Sequence, residues 1–464
     1  MADARHLQAR LDEQRRAFTA ERYPSLAVRR DRLARLAAMT RHHRDEIAQA
    51  IHQDFGHRAE AETRLAEIAT VLQAVGHTRR HLKRWMRPKR AAMPLRLWPA
   101  RARVHRQPLG VVGIIAPSNY PWNLAMLPAV DALAAGNRVM IKPSEHTPTT
   151  SKLMARLAAR HFDPDELCVV TGEVETGRAF AALPFDHLLF TGNALVGREV
   201  ARAAAANLTP VTLELGGKTP AIVADDADLE HAARRIAFGK WLNAGQTCIA
   251  PDHVLVDEPR LGAFVEALTR TVKRFHPRGT AGDDYSAILG ERHRERLDAM
   301  LEEARDHGCR VIPLGEPVEL RTGAKLPPTL VIDPHEGLAL MREEIFGPWL
   351  PILGVRDLDA AIGHVNAGPR PLALYAFTDD PARRQRILRE THSGGVVFND
   401  TLWHNAVPAL PFGGVGESGM GAYQGEAGFL RFSLERSVFQ QARRNAVGVL
   451  DPPYRRWLLR LLGL

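Results

Sequence analysis

Two residues near the middle of the chain have side chains suited to covalent chemistry, Cys248 and Glu214. Cys248 follows the polar, glycine-containing segment Asn-Ala-Gly-Gln-Thr (243–247), which comes after an apparent helix. A lone cysteine is usually a small buried hydrophobic residue, but a thiol in such a segment can reach a ligand, and its thiolate is a nucleophile. Cys168 lies instead inside the apolar run Leu-Cys-Val-Val, which is typical of a structural cysteine. Cys248 is therefore the candidate reactive thiol.

Glu214 ends the apolar stretch that begins at Val211, and Gly216 and Gly217 follow it closely. The alternative interpretation is a surface carboxylate in a salt bridge. A position at the end of an apolar strand beside two glycines favours a functional carboxylate over a solvated one.

Composition excludes several other classes of protein. The 464 residues can form two or three domains, and 45% hydrophobic with 25% charged residues is ordinary for a globular protein. The net charge of +9 is spread out, and the short basic cluster 87–90 lacks interleaved aromatics, so we expect no nucleic-acid partner. The charged N-terminal segment does not resemble a signal peptide, and no apolar run is long enough to span a membrane.

The three cysteines, Cys168, Cys248 and Cys309, are far apart in sequence and form no Cys-x-x-Cys pair. Neither a disulfide framework nor a metal site built from thiolates is expected, and a cytoplasmic, reducing location fits this pattern.

Motifs of several other enzyme classes are incomplete in this chain. Residues 414–419 have the spacing of a dinucleotide fingerprint, but no strand precedes them at the start of a βαβ unit. Gly217-Lys218-Thr219 has the end of a phosphate-binding loop, but Thr212 occupies the position of its first glycine. A zinc-protease motif that begins at His335 lacks its second histidine.

The elements that must position the candidate residues alternate along the chain. The first ninety residues have helical spacing. Short apolar runs typical of buried strands then alternate with helical stretches at 123–135, 149–161 and 194–206, which predicts an α/β fold with a doubly wound sheet. The predicted strands lie at 111–117, 138–143, 167–172, 187–192, 211–217, 253–258, 310–315, 330–333 and 395–400.

Four motifs occur in a fixed order: ELGGK (214–218), GQTC (245–248), EEIFGP (343–348) and PFGGVGESGMG (411–421). With them, the chain resembles the aldehyde dehydrogenase superfamily from about residue 50 to 435. Segments such as SNYPWNL, IKPSE, CIAPDHV and ETHSGGVVFNDT are similar to its class 3 and coniferyl aldehyde dehydrogenase branch.

The resemblance implies two Rossmann-like α/β domains with a β oligomerisation arm. The cofactor-binding domain would comprise 1–94 and 112–210, the catalytic domain 211–405, and the arm 95–111 with 406–464. Such an arm would cover apolar strand edges of a partner, so a homodimer is expected.

The resemblance also implies the reaction and the residues that perform it. Cys248 would attack an aldehyde, and Asn119 would stabilise the oxyanion together with a backbone N–H. Glu214 would activate the water that hydrolyses the thioester. CoA-acylating members typically lack this glutamate, so release of the free acid is favoured.

The implied cofactor is NAD or NADP, and the sequence leaves the choice between them open. The residues implied to bind it are Lys142 and Glu145 at the adenosine ribose, Gly192 and Gly197 at the pyrophosphate, Glu344 at the nicotinamide ribose, and Phe346 beside it. Two residues depart from the family pattern: Ser118 stands where many members have Trp, and Asn193 where many have Ser.

Several alternatives stay open at this stage. The same cysteine could support a cofactor-independent esterase, and a non-catalytic scaffold protein is a further alternative. The implied substrates are hydrophobic aliphatic or aromatic aldehydes, including phenylpropenals such as coniferaldehyde. A short basic amphipathic pattern at 454–464 predicts a helix that docks on the protein or its partner, with contact to a membrane surface as the less favoured interpretation.

Overall fold

The structure, a computed structural model, describes residues 2–320, 323–445, 447–453 and 457. Helices and strands alternate through most of it, as the sequence predicts. The helices are α1 Ala2–Ala20, α2 Leu26–His42, α3 Arg44–Phe55, α4 Glu60–Glu62, α5 Thr70–Trp85, α6 Asn123–Ala135, α7 Pro148–His161, α8 Val174–Ala181, α9 Ala194–Ala205, α10 Leu229–Trp241, α11 Leu261–Phe275, α12 Glu291–Asp306, α13 Ala339–Arg342, α14 Leu358–Ala367, α15 Pro381–Glu390 and α16 Gly425–Arg431. A π-helical turn, Thr63–Ala69, joins α4 to α5.

Within the described part of the chain, the strands form two large sheets and two small ones. They are β1 Lys89–Arg90, β2 Arg101–Pro108, β3 Val111–Ile115, β4 Arg138–Lys142, β5 Leu167–Val169, β6 His187–Gly192, β7 Val211–Leu215, β8 Pro220–Val223, β9 His253–Asp257, β10 Arg310–Pro313, β11 Val318–Glu319, β12 Ala324–Lys325, β13 Thr329–Ile332, β14 Trp349–Val355, β15 Ala373–Phe377, β16 Gly395–Phe398, β17 Gly419–Met420 and β18 Ser433–Gln440.

The first sheet has the strand order β17-β7-β6-β3-β4-β5 within the described residues. All its pairs are parallel except β17 with β7. The chain starts at β3, builds β4 and β5 on one side, and then returns to place β6 and β7 on the other. Such a reversal opens a crevice at the carboxyl ends of the two strands where it occurs, here β3 and β6. The strand order alone therefore predicts a ligand crevice at the carboxyl ends of β3 and β6.

Burial explains the composition of this sheet and of the helix that covers it. Every residue of β4 is buried, and so is every residue of α6, whose sequence is almost entirely apolar. A parallel sheet covered on both faces needs such continuous apolar strands. Helix α6 ends at Gly136, which has a φ of 98° and supplies the left-handed C-cap.

The second sheet has the order β10-β13-β14-β9-β8-β15-β16, and it is parallel except for the pair β10 with β13. The expected domain boundary at residue 211 lies before β7 and therefore before the second sheet begins. Strand β7 pairs with β6 from Leu188↔Val211 onward and belongs to the first sheet, so the second sheet begins only at β8. The apolar run of β7 looks the same in sequence whichever sheet it joins.

A third sheet joins distant parts of the chain. Strand β2 pairs with β1 and, along its whole length from Arg101↔Gln440 to Ser433↔Pro108, with β18. Strands β2 and β18 lie within the segments 95–111 and 406–464 that are expected from the sequence to form the arm. Of the amphipathic pattern predicted at 454–464, only Trp457 lies within the described residues, and it is exposed.

Candidate active site

The thiol of Cys248 follows a loop with an unusual backbone. Asn243, Ala244 and Gly245 all have positive φ values, of 54°, 51° and 81°, directly after α10. A Cβ atom on Gly245 would collide with the backbone carbonyl of Gly347, so the GQTC segment and the EEIFGP segment can pack together only because this residue is glycine. Cys248 itself is partly exposed and is a free thiol.

Asn119 lies in the loop between β3 and α6, and it contacts the loop that precedes the cysteine. Its side-chain amide donates a hydrogen bond to the carbonyl of Gln246 at 3.0 Å. The side chain of Asn243 donates to the backbone carbonyl of Asn119 at 3.1 Å and to that of Gln246 at 3.1 Å. These bonds hold the predicted oxyanion residue against Gln246, which precedes the thiol by two positions in the chain.

Glu214 is 2% exposed and sits in β7, where it pairs with Gly419 of β17. Neither of its carboxylate oxygens has a hydrogen-bond partner among the described residues. Burial raises the pKa of this carboxyl well above its usual value, and the cation of Arg431 opposes the shift. A buried carboxyl without a protein partner is suited to act on a molecule that enters the site.

Glu344 lies between α13 and β14, the latter a strand of the second sheet, and its carboxylate is next to Gly216, close to Glu214 in the chain. A Cβ on Gly216 would overlap its carboxylate, which explains why a glycine follows Glu214 and Leu215. The N–H of Gly217 donates to this carboxylate. Burial, with a smaller contribution from the charge of Asp252, raises the pKa of Glu344 to about 8.

These acidic groups converge on the thiol. Burial raises the pKa of Cys248, and the negative charges of Glu344 and Glu214 raise it further. The raised pKa favours the protonated thiol over the thiolate. A thiolate forms only when a neighbouring group takes its proton, and the two carboxylates are the acceptors within electrostatic reach.

Lys218, which sequence reasoning considered only as part of an incomplete phosphate loop, anchors the segment that carries Glu344. Its ammonium group contacts Asp252 and donates to the carbonyls of Leu340 at 2.8 Å and Glu343 at 3.0 Å. Asp252 in turn accepts a hydrogen bond from the N–H of Ile345 at 2.9 Å. The position of Lys218 at the end of ELGGK is the sequence signal, but its partners come from distant segments.

Phe346 lies two residues beyond Glu344 and has a φ of 51°. Its carbonyl accepts a hydrogen bond from His293 at 2.7 Å.

A second lysine, Lys240 at the end of α10, is buried, and burial lowers its pKa to about 8. Nothing in the sequence distinguishes Lys240 from a solvated helix residue.

The other predicted cofactor residues lie along the crevice of the first sheet. Lys142 ends β4, is buried, and donates to Glu145 at 2.9 Å and to the carbonyl of Pro143 at 2.8 Å. Gly192 ends β6, and Gly197 lies in the first turns of α9, where a Cβ would collide with Leu215. No hydrogen bond among the described residues joins these four residues to the cysteine.

The crevice fits a dinucleotide. Leu195 and Val196 at the start of α9 are exposed, so the helix N-terminus is open to a diphosphate. The buried hydroxyl of Thr191 has no hydrogen-bond partner among the described residues and lies at the carboxyl end of β6.

Asn193, which departs from the family pattern, caps α9: its side chain accepts a hydrogen bond from the N–H of Val196 at 2.9 Å. The turn is therefore kept without a serine hydroxyl. Ser118, the other departure, is half-buried beside Asn119.

Comparison with known proteins identifies the family. The model of the aldehyde dehydrogenase family matches residues 1–438. The chain is 49% identical to the "Probable coniferyl aldehyde dehydrogenase" of Pseudomonas aeruginosa over 456 residues, which is 98% of this chain and 95% of that protein. It is 38% identical to the "Aldehyde dehydrogenase, dimeric NADP-preferring" of Rattus norvegicus, over 93% of this chain and 94% of that one.

A solved structure, the substrate-bound state of Staphylococcus aureus AldH, superposes with a TM-score of 0.93 at 37% identity and covers 98% of both chains. The α/β fold predicted from the sequence is thereby confirmed. The matched family model and these relatives extend over nearly the whole chain. The chain belongs to the aldehyde dehydrogenase family and is an NAD(P)-dependent aldehyde dehydrogenase.

Proposed function

We propose that Cys248 is the nucleophile of this enzyme, Asn119 the oxyanion donor and Glu214 the base that activates water. The observation that carries this proposal is the convergence of three groups from different segments. The loop of Cys248 is hydrogen-bonded to Asn119, and the charges of Glu214 and Glu344 act on the thiol.

The residues act in a fixed order. The thiol of Cys248 transfers its proton to a neighbouring carboxylate and its sulfur bonds to the aldehyde carbon, while the amide of Asn119 stabilises the oxyanion. When bound, NAD(P)+ accepts the hydride that leaves this carbon. A thioester on Cys248 remains, and Glu214 takes a proton from the water that attacks it. The C–S bond then breaks, and the carboxylic acid is released.

For the cofactor, we propose that Lys142 and Glu145 bind the adenosine ribose and that Gly192 and Gly197 give the diphosphate access to the N-terminus of α9. Glu344 and Phe346 would hold the nicotinamide ribose. Glu145 favours NAD, because a carboxylate accepts a hydrogen bond from a free ribose hydroxyl and repels a phosphate. The relative from Rattus norvegicus is named NADP-preferring, so both cofactors belong in the test.

The proposed substrates are hydrophobic aliphatic or aromatic aldehydes, including phenylpropenals such as coniferaldehyde. The name of the relative from Pseudomonas aeruginosa supports this class. So do two buried tyrosines beside the nucleophile. The hydroxyl of Tyr120 is 2.7 Å from that of Thr247, and Tyr375 donates to the carbonyl of Ile249 at 2.5 Å. Their hydroxyl groups are occupied by these bonds, so the rings add apolar surface around the segment that carries Cys248.

We also propose a homodimer with cofactor-binding, catalytic and arm regions built on the first, second and third sheets. Two open strand edges support it. Strand β16 ends the second sheet, and β18, which ends the third, exposes the apolar side chains of Leu434 and Phe439. Open apolar edges of this kind are normally covered by a partner.

Among the described helices, none is both long and apolar enough to cross a membrane. A cytoplasmic location, suggested by the three free cysteines, completes the proposal.

The test measures absorbance at 340 nm with purified protein, a panel of aliphatic and aromatic aldehydes, and NAD+ or NADP+. We expect cofactor reduction by the wild-type protein and by Cys168→Ala, because Cys168 packs in the first sheet, and none by Cys248→Ala. If no aldehyde causes cofactor reduction but the protein hydrolyses an added carboxylic ester without cofactor, the esterase is favoured instead. Undiminished reduction by Cys248→Ala would refute the proposed nucleophile.

A further inference from the structure

A buried arginine lies behind the two loops that carry Asn119 and Cys248. The side chain of Arg58, between α3 and α4, is 0% exposed. Its guanidinium donates to the backbone carbonyl of Asn119 at 3.0 Å. The side chain of Asn243 donates to the same oxygen, so this carbonyl is held by two donors from different segments. The peptide unit that follows Asn119 therefore has little freedom to rotate.

The partner of Arg58 holds the second loop. Glu62 lies 3.6 Å from the guanidinium and accepts a hydrogen bond from the N–H of Asn243 at 3.0 Å. Its other oxygen accepts from the hydroxyl of Ser286 at 2.5 Å. Arg58 and Glu62 thus form one ion pair whose members hold different loops: the arginine is hydrogen-bonded to the loop of Asn119, and the glutamate to the loop that leads to Cys248.

A second carboxylate faces the same cation. Glu67 accepts from the N–H groups of Trp122 and Asn123 at 3.1 and 2.7 Å, and so binds the start of α6 just after Asn119. Glu62 and Glu67 are five residues apart, a spacing that an α-helix directs to different faces. The π-helical turn Thr63–Ala69, whose hydrogen bonds span five residues, brings both toward Arg58. Such turns occur frequently at functional sites.

This cation is costly to bury for stability alone. Its charge lies over the rings of Phe55 at 4.8 Å and Tyr120 at 4.9 Å, and two of its nitrogens have no hydrogen-bond partner among the described residues. Apolar residues of similar size often stabilise a core as well as a buried ion pair does. What an apolar residue could not supply is the directed hydrogen bond to Asn119 and the fixed charge for Glu62.

We propose that Arg58, acting with Glu62, is a positioning residue that fixes the oxyanion donor Asn119 relative to the loop of Cys248. This inference rests on the roles proposed above for Asn119 and Cys248. A displacement of about 1 Å at such a donor lowers turnover by about a hundredfold. The pair should therefore affect the chemical step and leave cofactor binding, which occurs along the first sheet, unchanged.

The experiment compares Arg58→Met, Arg58→Lys and Glu62→Gln with a matched control, Arg32→Met. Arg32 is also a buried arginine paired with two carboxylates, Glu166 and Glu21, but its contacts lie away from both loops. We expect Arg58→Met to lower kcat by about 10- to 100-fold while the KM for NAD(P)+ stays within about twofold. Arg58→Lys, which keeps the charge, should recover part of kcat, and the control should keep kcat within about twofold.

Amide hydrogen exchange on the same proteins tests the positioning directly. Residues 119–123 and 243–247 should exchange faster in Arg58→Met and Glu62→Gln than in the wild type, but not in the control. A loss of thermal stability without a fall in kcat per folded site, or an equal fall in the control, would overturn the inference. If Arg58→Met does not fold, the lysine and Glu62→Gln variants decide by the same measurements. If the wild type reduces no cofactor with any aldehyde, the proposed function fails, and the exchange data still decide the role of Arg58.

Discussion

Replacing Glu214 by glutamine should separate hydride transfer from hydrolysis in this enzyme. The substitution keeps the shape of a side chain that is 2% exposed and bonded to no described residue, so the fold should tolerate it. In this variant Glu344 remains to accept the thiol proton, so the thioester should still form, but its hydrolysis needs Glu214. A general base contributes about 10²–10⁴ in rate, and steady-state turnover should fall by that factor.

The assay is stopped-flow absorbance at 340 nm with aldehyde and cofactor in excess. Glu214→Gln should give a rapid burst of about one NAD(P)H per active site, followed by a slow steady state. In the wild type, the rate of hydrolysis should rise with pH, because only the ionised carboxylate can accept a proton. If the variant shows no burst, Glu214 is needed before the thioester forms. If its turnover is unchanged, Glu214 is not the base.

The same variant makes a prediction about stability. The pKa of Glu214 is raised in the folded protein, so at pH values above 4.5 the folded state keeps a proton that the unfolded state has lost. Wild-type stability therefore falls as pH rises through this window, by up to about 1.4 kcal/mol per pH unit. Glutamine carries no such proton. The free energy of unfolding of the variant, measured with urea, should rise relative to the wild type as pH increases.

Two further predictions concern the anchor of Glu344 and the oligomer. Lys218→Met should raise the KM for NAD(P)+ about tenfold in steady-state assays, because the carbonyls of Leu340 and Glu343 lose their donor. A loss of about tenfold is usual for one charge-assisted hydrogen bond. An unchanged KM would contradict this prediction. Phe439→Glu should convert the dimer to monomers, as measured by sedimentation velocity, because it places a charge on the exposed apolar face of β18. The proposed interface would be contradicted if the wild type is a monomer or if the variant remains dimeric.

Local sequence patterns predict much of this fold. Helix α6 has the predicted bounds, because its apolar run ends at a glycine that caps it. Strands β3, β4 and β6 lie where apolar runs end in glycine or proline. The strands β8, β14 and β15 were not among the predicted ones, although they form the centre of the second sheet. Their runs are as apolar as those of the predicted strands.

The residues proposed to react could be selected from the sequence, but the residues that support them could not. Cys248 stands out because a thiol follows a polar, glycine-containing segment, and Glu214 because a carboxylate ends an apolar strand. Arg58 and Lys218 do not, because a charged residue in a helical or glycine-rich segment is most often solvated. Their roles depend on contacts with Asn119 and Asp252, and such long-range contacts leave no periodic pattern in a single sequence.

The pairing of β17 with β7 also affects when the site can be completed during synthesis. Gly419 and Met420 close the strand edge beside Glu214, yet they follow Cys248 by a large part of the chain. At about 5–20 residues per second, a ribosome makes this stretch in roughly ten seconds or more. During that interval the nascent polypeptide already contains every side chain proposed for catalysis, but Glu214 lies on an open edge. A ribosome that stalls in this stretch would release a chain with a thiol and a carboxylate but without the strand that sets their geometry.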